Sequence, residues 1–317
     1  MSEDIIQYSV VVSVYNSENS LKLLQERLSA VFNSLNSSWE LILVNDCSRD
    51  RSWDVCMELA SKDDRVTAIN LANNFGQHAA AMCGFSYASG DYIITMDDDL
   101  QHPPEEIIKL IKTIKDGSFS VVYGQYDRRK YKWFKNICSI ALNKLISEII
   151  SSGYIATTFR ILKKSVIKKL INFRQCNVII DVLIKDIVNK RDIGQVKVKH
   201  HEREIGHSSY SYTKLFIHAF NMIFNYTVWP LRLATMAGLA LSLLSILLAI
   251  YYFIDYFIKQ VPIAGFTTLI FIMTFLFGIT LFVLGIVGEY VGRIFLNINQ
   301  KPQFSVKEIY KNGKYVV

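Results

Sequence analysis

Two long apolar segments near the C-terminus constrain the fold of this chain more than any other feature. Residues 233–254 and 265–288 contain no Asp, Glu, Lys or Arg. A helix of about 20 apolar residues is long enough to cross the hydrocarbon core of a membrane. We therefore predict two transmembrane helices within residues 231–290. The remainder of the chain is then a water-soluble domain attached to a membrane hairpin.

Positive charge flanks the predicted hairpin on both sides. Arg232 precedes the first span, and Arg293 and Lys301 follow the second. The predicted connection between the spans contains one Lys, Lys259, and one Asp, Asp255. Because cytoplasmic flanks are enriched in Lys and Arg, we predict that both ends of the hairpin are cytoplasmic. The net charge of +7 fits phosphates or anionic lipids. No nucleic-acid-binding motif occurs, so we expect no nucleic-acid partner.

Cysteine usage and the N-terminus both fit a domain in a reducing compartment. The chain has five cysteines, an odd number, and no CxxC pair. This pattern predicts neither a disulfide framework nor a zinc site. The first eight residues are polar and lack an apolar core, so we expect no cleaved signal peptide.

The first 125 residues alternate between strand-like and helix-like patterns. The predicted strands are residues 8–15, 39–45, 66–71, 91–96 and 120–124. The predicted helices are residues 20–35, 52–61, 77–89 and 104–116. Such alternation, with continuous apolar strands, predicts an α/β fold built on a parallel sheet. In these folds ligands bind beyond the carboxyl ends of the strands.

An acidic cluster lies at the end of the fourth predicted strand. Asp97, Asp98 and Asp99 are consecutive there, and three adjacent carboxylates repel one another unless a cation is present. Mg²⁺ commonly takes one or two carboxylates together with substrate phosphates. In an extended strand alternate side chains share a side, so we predict that Asp97 and Asp99 bind metal while Asp98 points elsewhere. The alternative is a solvated acidic turn in which Asp99 or His102 caps the next helix.

A second polar group follows the second predicted strand. Asp46 can accept an N–H of uracil or guanine, and Ser48 can bond a ribose or a backbone amide. The alternative is a local Asx-turn with Ser48 as a helix cap.

Two further segments have basic ends and aromatic faces. Residues 130–150 and 212–230 carry patterns typical of helices that lie in a membrane interface. Packing against the α/β domain is the alternative for each. The predicted organisation is a cytoplasmic domain over residues 1–211, an interface helix over 212–230, the hairpin over 231–290 and a cytoplasmic tail over 291–317.

The order and spacing of several motifs resemble the A-type (GT-A) glycosyltransferases of family 2. The similarity is strongest to the subgroup that transfers sugars to polyprenyl phosphates, which includes dolichyl-phosphate mannose synthases, undecaprenyl-phosphate glucosyltransferases and the aminoarabinose-lipid transferases. It implies a Rossmann-like nucleotide-sugar-binding domain with interface helices and a C-terminal two-helix transmembrane hairpin. The motifs that carry the resemblance are SVVVSVYNSENS, LVNDCSRDRSWDV, NNFGQHAA, MDDDLQHPPEEI, VVYGQYDRR, TTFRILKKSV, HEREIGHSSYSYTKL, PLRLAT and GEYVGRI.

The resemblance also implies roles for individual residues. Asp97, Asp99 and Arg203 would be catalytic, with Asp97 and Asp99 binding Mg²⁺ or Mn²⁺. The residues expected to bind the nucleotide-sugar are Tyr15, Asn16, Glu18, Asp46, Gln101, Arg128 and Arg129. Those expected at the acceptor phosphate are Arg203, Arg128 and Lys214. A planar guanidinium suits phosphate because it donates in pairs. The alternative for the three arginines is a basic surface that faces anionic lipid.

The activity implied is inverting transfer of a sugar, from a UDP-sugar in preference to a GDP-sugar, to undecaprenyl phosphate. The product would supply O-antigen or lipopolysaccharide modification at the bacterial inner membrane. Relatives of this type also imply a homotetramer and a small flippase as partners. Two alternatives stay open: another acceptor, such as a lipid-linked oligosaccharide or growing polysaccharide, and a catalytically inactive membrane partner of a flippase.

The chain departs from the usual motifs at several positions. Ser13 stands where Pro is common, Asn45 replaces the first Asp of Asp-Asp-x-Ser, and Thr158 replaces the Asp of Gly-Asp-Phe-Arg. Ser209 replaces a Lys near the acceptor, which Lys214 would offset. Thr158 cannot act as a base near neutral pH. A phosphate monoester, with a second pKa of about 6, is already a nucleophile and needs little help from one.

Overall fold

The computed structural model describes residues 6–125, 156–173, 178–199, 229–259, 265–298 and 302–316. The chain divides into two compact units, one of residues 1–209 with 300–317 and one of residues 210–299. The predicted interface helices at 130–150 and 212–230 fall outside the described residues, apart from the last two positions of the second. The predicted phosphate-binding residues Arg128, Arg129, Arg203 and Lys214 also lie outside them.

The first half of unit one alternates strands and helices, as its pattern predicts. The strands are β1 (Tyr8–Val14), β2 (Trp39–Asn45), β3 (Val66–Leu71), β4 (Tyr92–Asp97) and β5 (Val121–Gln125). The helices are α1 (Leu21–Leu35), α2 (Ser52–Lys62), α3 (Gln77–Tyr87) and α4 (Ile107–Asp116), the last preceded by a 3-10 turn, Pro104–Glu106. These bounds confirm the predicted elements to within three residues at each end.

The strands β1 to β4 form a parallel core that is covered on both faces. Every residue of β2 and β3 is buried, which explains their continuous apolar sequences. Helices α1, α2 and α4 contribute to one hydrophobic cluster, and α3 contributes to the other. In α1 the buried residues Leu21, Leu24, Leu28 and Val31 recur at helical spacing and form the face that packs on the sheet.

The sheet is mixed, because strands with weaker sequence patterns extend it. The strand β6 (Arg160–Lys163) lies antiparallel between β4 and β5, and β7 (Ile193–Lys197) pairs parallel with β5. Two helices, α5 (Lys164–Leu170) and α6 (Ile180–Ile187), pack beside them. In the described part of the chain the strand order is β7-β5-β6-β4-β1-β2-β3, followed by two strands from the C-terminus.

The C-terminal segment returns to unit one after the hairpin. The strand β8 (Val306–Lys311) pairs antiparallel with β3, and β9 (Lys314–Tyr315) pairs antiparallel with β8. The sequence pattern predicted a tail over residues 291–317 and did not predict these strands. One sheet therefore contains chain from both sides of the predicted hairpin.

Unit two contains two long helices, α7 (Trp229–Lys259) and α8 (Phe266–Ile298). At 1.5 Å per residue each is about 45–50 Å long, which exceeds a hydrocarbon core of about 30 Å. Within α8, Phe275–Gly292 is long and apolar enough to cross a membrane. Within α7 a shorter apolar stretch, Pro230–Leu241, is found among the described residues, so a first span through α7 stays a prediction.

We predict that Gly84→Ala destabilises unit one. Gly84 lies in α3, and a Cβ there would stand 2.3 Å from Val11 Cγ1 and 3.2 Å from Val44 Cγ2. Ala favours a helix over Gly by about 1 kcal/mol, but overpacking a close contact costs about 1–3 kcal/mol. The clash is with two core strands, so the net effect is a lower free energy of unfolding.

Thermal unfolding of the full chain in detergent measures this effect. The matched control is Ser86→Ala, which changes an exposed position of the same helix. We expect Ser86→Ala to unfold at the wild-type midpoint and Gly84→Ala several degrees lower. An unchanged midpoint for Gly84→Ala would show that α3 does not approach β1 as closely as described.

Candidate active site

Three loops meet at the carboxyl edge of the parallel core. They follow β1, β2 and β4, and β1 pairs with both of the other two strands. In this register Val14 lies beside Asn45, and Ser13 lies beside Asp97. The residues that follow these strands are therefore brought to one place, as the sequence predicts for a parallel sheet.

The loop after β1 is fastened to the loop after β2. Asn16, at a φ of 56°, donates its backbone amide to Ser48 Oγ at 3.0 Å. Its side-chain oxygen accepts the amide of Arg49 at 2.8 Å. Glu18 Oε2 accepts the amide of Arg51 at 2.9 Å. Asn16 and Glu18 therefore hold the two loops together. Their predicted contacts with a nucleotide remain predictions.

The Asp46 side chain holds the loop between β3 and α3. Its two oxygens accept the backbone amides of Phe75, at 2.7 Å, and Gly76, at 2.8 Å. Asn74 Nδ2 also donates to the Asp46 carbonyl at 3.1 Å. Burial raises the pKa of Asp46, and the two amides act in the opposite direction. Each carboxylate oxygen keeps a further acceptor site, so the predicted contact of Asp46 with a base remains open.

Asp97 ends β4 and is held by two neutral donors. Thr158 Oγ1 donates to one oxygen at 2.6 Å, and Gln77 Nε2 donates to the other. Burial raises the pKa of Asp97, Thr158 opposes this shift, and the charge of Asp99 adds to it. The electrostatic effect of Asp99 indicates that the two carboxylates predicted to bind metal are close enough to repel each other.

Asp98 and Asp99 lie in a turn rather than in the strand, because β4 ends at Asp97. The strand alternation used to predict the direction of Asp99 is therefore not the reason for its placement. Asp98 accepts the backbone amide of Tyr15 at 3.0 Å, and its predicted direction away from a metal ion remains a prediction. The Tyr15 side chain itself is 45% exposed at this edge.

Local hydrogen bonding in this turn matches part of the alternative to a metal site, which is an acidic turn before the next helix. Asp99 Oδ1 accepts the backbone amide of Gln101 at 3.1 Å, and Leu100 between them adopts a φ of 59°. This contact occupies one carboxylate oxygen. The turn and a metal site are compatible, since a carboxylate can accept more than one partner.

The chemistry of this cluster fits a hard divalent cation. Asp97, Asp98 and Asp99 supply only oxygen donors, and burial, together with their mutual repulsion, raises the pKa of both Asp97 and Asp98. Among the described residues no three acidic, His or Cys side chains form a complete metal cage. This arrangement suits an ion that takes one or two carboxylates and completes its shell with substrate phosphates and water.

A buried ion pair lies beneath the acidic cluster. Arg160 pairs with Asp181 of α6, and Tyr123 Oη donates to the same carboxylate at 3.0 Å. The positive charge of Arg160 lowers the pKa of Asp97. The sequence motifs predicted no role for Arg160, Asp181 or Gln77. Arg160 lies in the motif TTFRILKKSV, and Gln77 lies in the motif NNFGQHAA. Asp181 could have been singled out as an acidic residue in the apolar stretch VIIDVLI.

Two family models match the chain in complementary places. The model for "Glycosyl transferase family 2" matches residues 9–172, which include the strands and loops of the acidic site. The model for "GtrB C-terminal hairpin" matches residues 229–294, which span α7 and most of α8.

Relatives match over nearly the full length. An undecaprenyl-phosphate 4-deoxy-4-formamido-L-arabinose transferase of Photorhabdus laumondii is 32% identical over 98% of this chain and 97% of its own. The protein of the same name from Proteus mirabilis is 34% identical over 97% of this chain and 95% of its own.

Solved structures confirm the fold. Glucosyl-3-phosphoglycerate synthase from Mycobacterium tuberculosis, in complex with uridine diphosphate, has a TM-score of 0.51. The alignment covers 69% of this chain and 78% of the synthase, at 15% identity. The same enzyme with Mn²⁺, uridine-diphosphate-glucose and phosphoglyceric acid also has a TM-score of 0.51. At this identity the likeness shows a Rossmann-like α/β fold of the GT-A type.

We predict that Asp98→Asn removes a pH dependence of stability. Burial, with the charges of Asp97 and Asp99, raises the pKa of Asp98 to about 6 from an ordinary 3.8. The folded state therefore binds this proton more tightly than the unfolded state. The stability that the proton confers is lost as the pH rises from about 4 to above 6. The loss is on the order of 2–3 kcal/mol.

Unfolding midpoints at pH 5 and pH 7.5, in EDTA, measure this difference. We expect Asp98→Asn to have a higher unfolding midpoint than the wild type at pH 7.5 and a similar midpoint at pH 5. The oxygen of the new side-chain amide can still accept the hydrogen bond from Tyr15. The control is Asp91→Asn, at an exposed position before β4. A midpoint difference between the two pH values that is the same in wild type and Asp98→Asn would refute the assignment.

Proposed function

The chain belongs to glycosyl transferase family 2, and from this membership we propose that it transfers a sugar from a nucleotide-sugar to undecaprenyl phosphate. The observation that carries the proposal is the extent of the similarity to undecaprenyl-phosphate transferases. It covers 97–98% of this chain, and so includes both the acidic site and the hairpin. An acceptor with a polyprenyl tail requires both parts.

The proposed donor is a UDP-sugar at the carboxyl edge of the parallel core. The exposed ring of Tyr15 is available to a base, and Asp46 has an acceptor site left on each oxygen. Asp97 and Asp99 would hold Mg²⁺ or Mn²⁺ together with the diphosphate. When bound, such a cation neutralises charge on the departing nucleoside diphosphate. Gln101 follows this turn, donates its backbone amide to Asp99, and is proposed to contact the donor sugar.

The proposed acceptor phosphate attacks the anomeric carbon directly. It is largely ionised at neutral pH, so the site needs alignment and charge stabilisation more than a base. Thr158 fits this requirement, because its hydroxyl donates to Asp97 and supports the charged form of that carboxylate. Arg203, Arg128, Arg129 and Lys214 are proposed to bind phosphate groups of acceptor and donor. A single displacement inverts the anomeric configuration.

The proposed location is the cytoplasmic face of the bacterial inner membrane, with α7 and α8 as the anchor. The apolar stretch Phe275–Gly292 supports one crossing, and the charge distribution around residues 233–288 supports two. The lipid-linked sugar would serve as a donor for lipopolysaccharide or another surface glycan. Because the relatives are 4-deoxy-4-formamido-L-arabinose transferases, this sugar is the first to test.

We predict metal-dependent transfer that requires Asp97 and Asp99. Radiolabelled UDP-glucose, UDP-linked 4-deoxy-4-formamido-L-arabinose and GDP-mannose are incubated with the detergent-solubilised chain and undecaprenyl phosphate. One donor should label a mild-acid-labile lipid with Mg²⁺ or Mn²⁺, and EDTA should abolish labelling. Asp97→Ala and Asp99→Ala should each lower the rate by about 100-fold or more, the size typical of lost charge stabilisation at a reacting centre.

The control for these variants is Asp91→Ala, which removes a carboxylate at an exposed position before the same strand. It should retain wild-type activity. NMR of the product should show the inverted anomer, and retention would exclude the single displacement. Absence of label from every donor, with folded protein, would favour a different acceptor or an inactive partner of a flippase.

We also predict that the chain crosses the membrane an even number of times. The strand β8 follows the hairpin in sequence and pairs with β3, which precedes it, so both flanks of the hairpin belong to one folded unit. In intact cells a membrane-impermeant maleimide should label Lys259→Cys, in the connection, and should not label Lys314→Cys. Labelling of Lys314→Cys from outside would contradict this topology.

A further inference from the structure

A row of polar side chains runs from the C-terminal strand toward the acidic site. In the sheet register Glu308 of β8 lies opposite Asn70 of β3, and Asn70 lies opposite Asn45 of β2. Glu308 Oε1 accepts from Asn70 Nδ2 at 2.7 Å, and Asn70 Oδ1 accepts from Asn45 Nδ2 at 2.8 Å. The row ends at the residue that directly precedes Asp46.

Glu308 fixes the direction of this row. An ionised carboxylate only accepts hydrogen bonds, so it turns the amide nitrogen of Asn70 toward itself. The oxygen of Asn70 must then face Asn45 and turn the nitrogen of that residue toward β3. Asn45 and Asn70 are 2% and 7% exposed, so neither has bulk water as an easy substitute for these bonds. The side chain of Glu308 is 22% exposed, so the charge itself stays partly hydrated.

A second contact ties the same C-terminal segment to the loop that surrounds Asp46. Ser305, one residue before β8, accepts the backbone amide of Ala72 at 2.8 Å. Ala72 begins the segment 72–76, whose amides at Phe75 and Gly76 are the donors to Asp46. Phe304 packs against the same hydrophobic cluster as Phe75. The C-terminal segment therefore braces Asp46 from its own strand and from the facing loop.

We propose that Glu308 is a positioning residue for donor binding, which holds Asn45 and the segment 72–76 in the arrangement that Asp46 needs to receive the nucleotide. This inference rests on the proposed function, in which Asp46 faces the base. Glu308 contacts neither substrate nor reacting atoms. Its substitution changes how well the donor nucleotide binds and leaves the rate of the chemical step in place.

The test compares four full-length variants in detergent. Glu308→Ala removes the acceptor, Glu308→Asp withdraws it by one methylene, and Glu308→Gln keeps an acceptor oxygen in place. Lys314→Ala is the matched control, because it removes an exposed charge from β9, the next strand of the same segment, whereas Lys307 is paired with Glu308 Oε1 at 3.7 Å. UDP and GDP, each with Mg²⁺, are titrated by calorimetry, and amide hydrogen exchange is followed at residues 72–77.

Glu308→Ala should weaken binding of the nucleotide about five- to tenfold, the size expected for one typical lost hydrogen bond. The KM for the sugar donor should rise by the same factor with kcat nearly unchanged, and exchange at Phe75 and Gly76 should accelerate. Glu308→Asp should lie between Glu308→Ala and wild type. Glu308→Gln and Lys314→Ala should bind as the wild type does.

Wild-type nucleotide affinity and exchange in Glu308→Ala would overturn the proposal. If Glu308→Ala fails to fold, Glu308→Asp decides, since equal affinity to wild type despite the shorter reach has the same meaning. A general loss of structure would accelerate exchange across the sheet and lower kcat as well, and this outcome also overturns a positioning role. Failure of the wild type to transfer any sugar, with nucleotide binding intact, would count against the proposed function and not against the role of Glu308.

Discussion

The candidate site depends on one constraint, the parallel register of β1 with its two neighbours. Because β1 pairs with β2 on one side and β4 on the other, Asn45 and Asp97 end at the level of Val14 and Ser13. The loops that follow are then close enough to share hydrogen bonds, as Asn16 does with the loop after β2 and Tyr15 does with Asp98. A slip of one residue in either pairing would turn every side chain of that strand to the opposite face and separate these groups.

The same edge concentrates negative charge, and the surrounding groups limit its cost. Asp97 receives hydrogen bonds from Thr158 and Gln77, while Arg160 supplies a positive charge from the neighbouring strand β6. Arg160 is itself buried and forms an ion pair with Asp181. Its positive charge is therefore shared between Asp181 and Asp97. The raised pKa of both Asp97 and Asp98 shows that the compensation is partial. A cation bound with a diphosphate would complete the compensation, which relates the electrostatics of the site to the proposed chemistry.

Sequence patterns predicted the elements whose burial is set by local periodicity. The strands β1 to β5 and the helices α1 to α4 bury continuous or helically spaced apolar residues, and all were predicted. The strands β6 and β8 were not, because RILK is short and VKEIYK is half polar at a sheet edge. Their partners are set by tertiary pairing, across more than 200 residues in the case of Asn70 and Glu308. For the same reason the contacts of Asp181 with Arg160 and of Glu308 with Asn70 became evident only from the folded arrangement.

Thr158 illustrates how the acceptor can determine which side chain a site tolerates. Its hydroxyl lies 2.6 Å from Asp97 Oδ2 and lowers the pKa of that carboxylate. An Asp at this position, as in the usual motif, would place a fourth negative charge against Asp97, Asp98 and Asp99 and would raise their pKa values further. An enzyme that must deprotonate a hydroxyl acceptor gains a base in return for that repulsion. A phosphate acceptor is already ionised, so under the proposed function the threonine gives up no needed base, and its hydroxyl offsets part of the rise that burial causes in the pKa of Asp97.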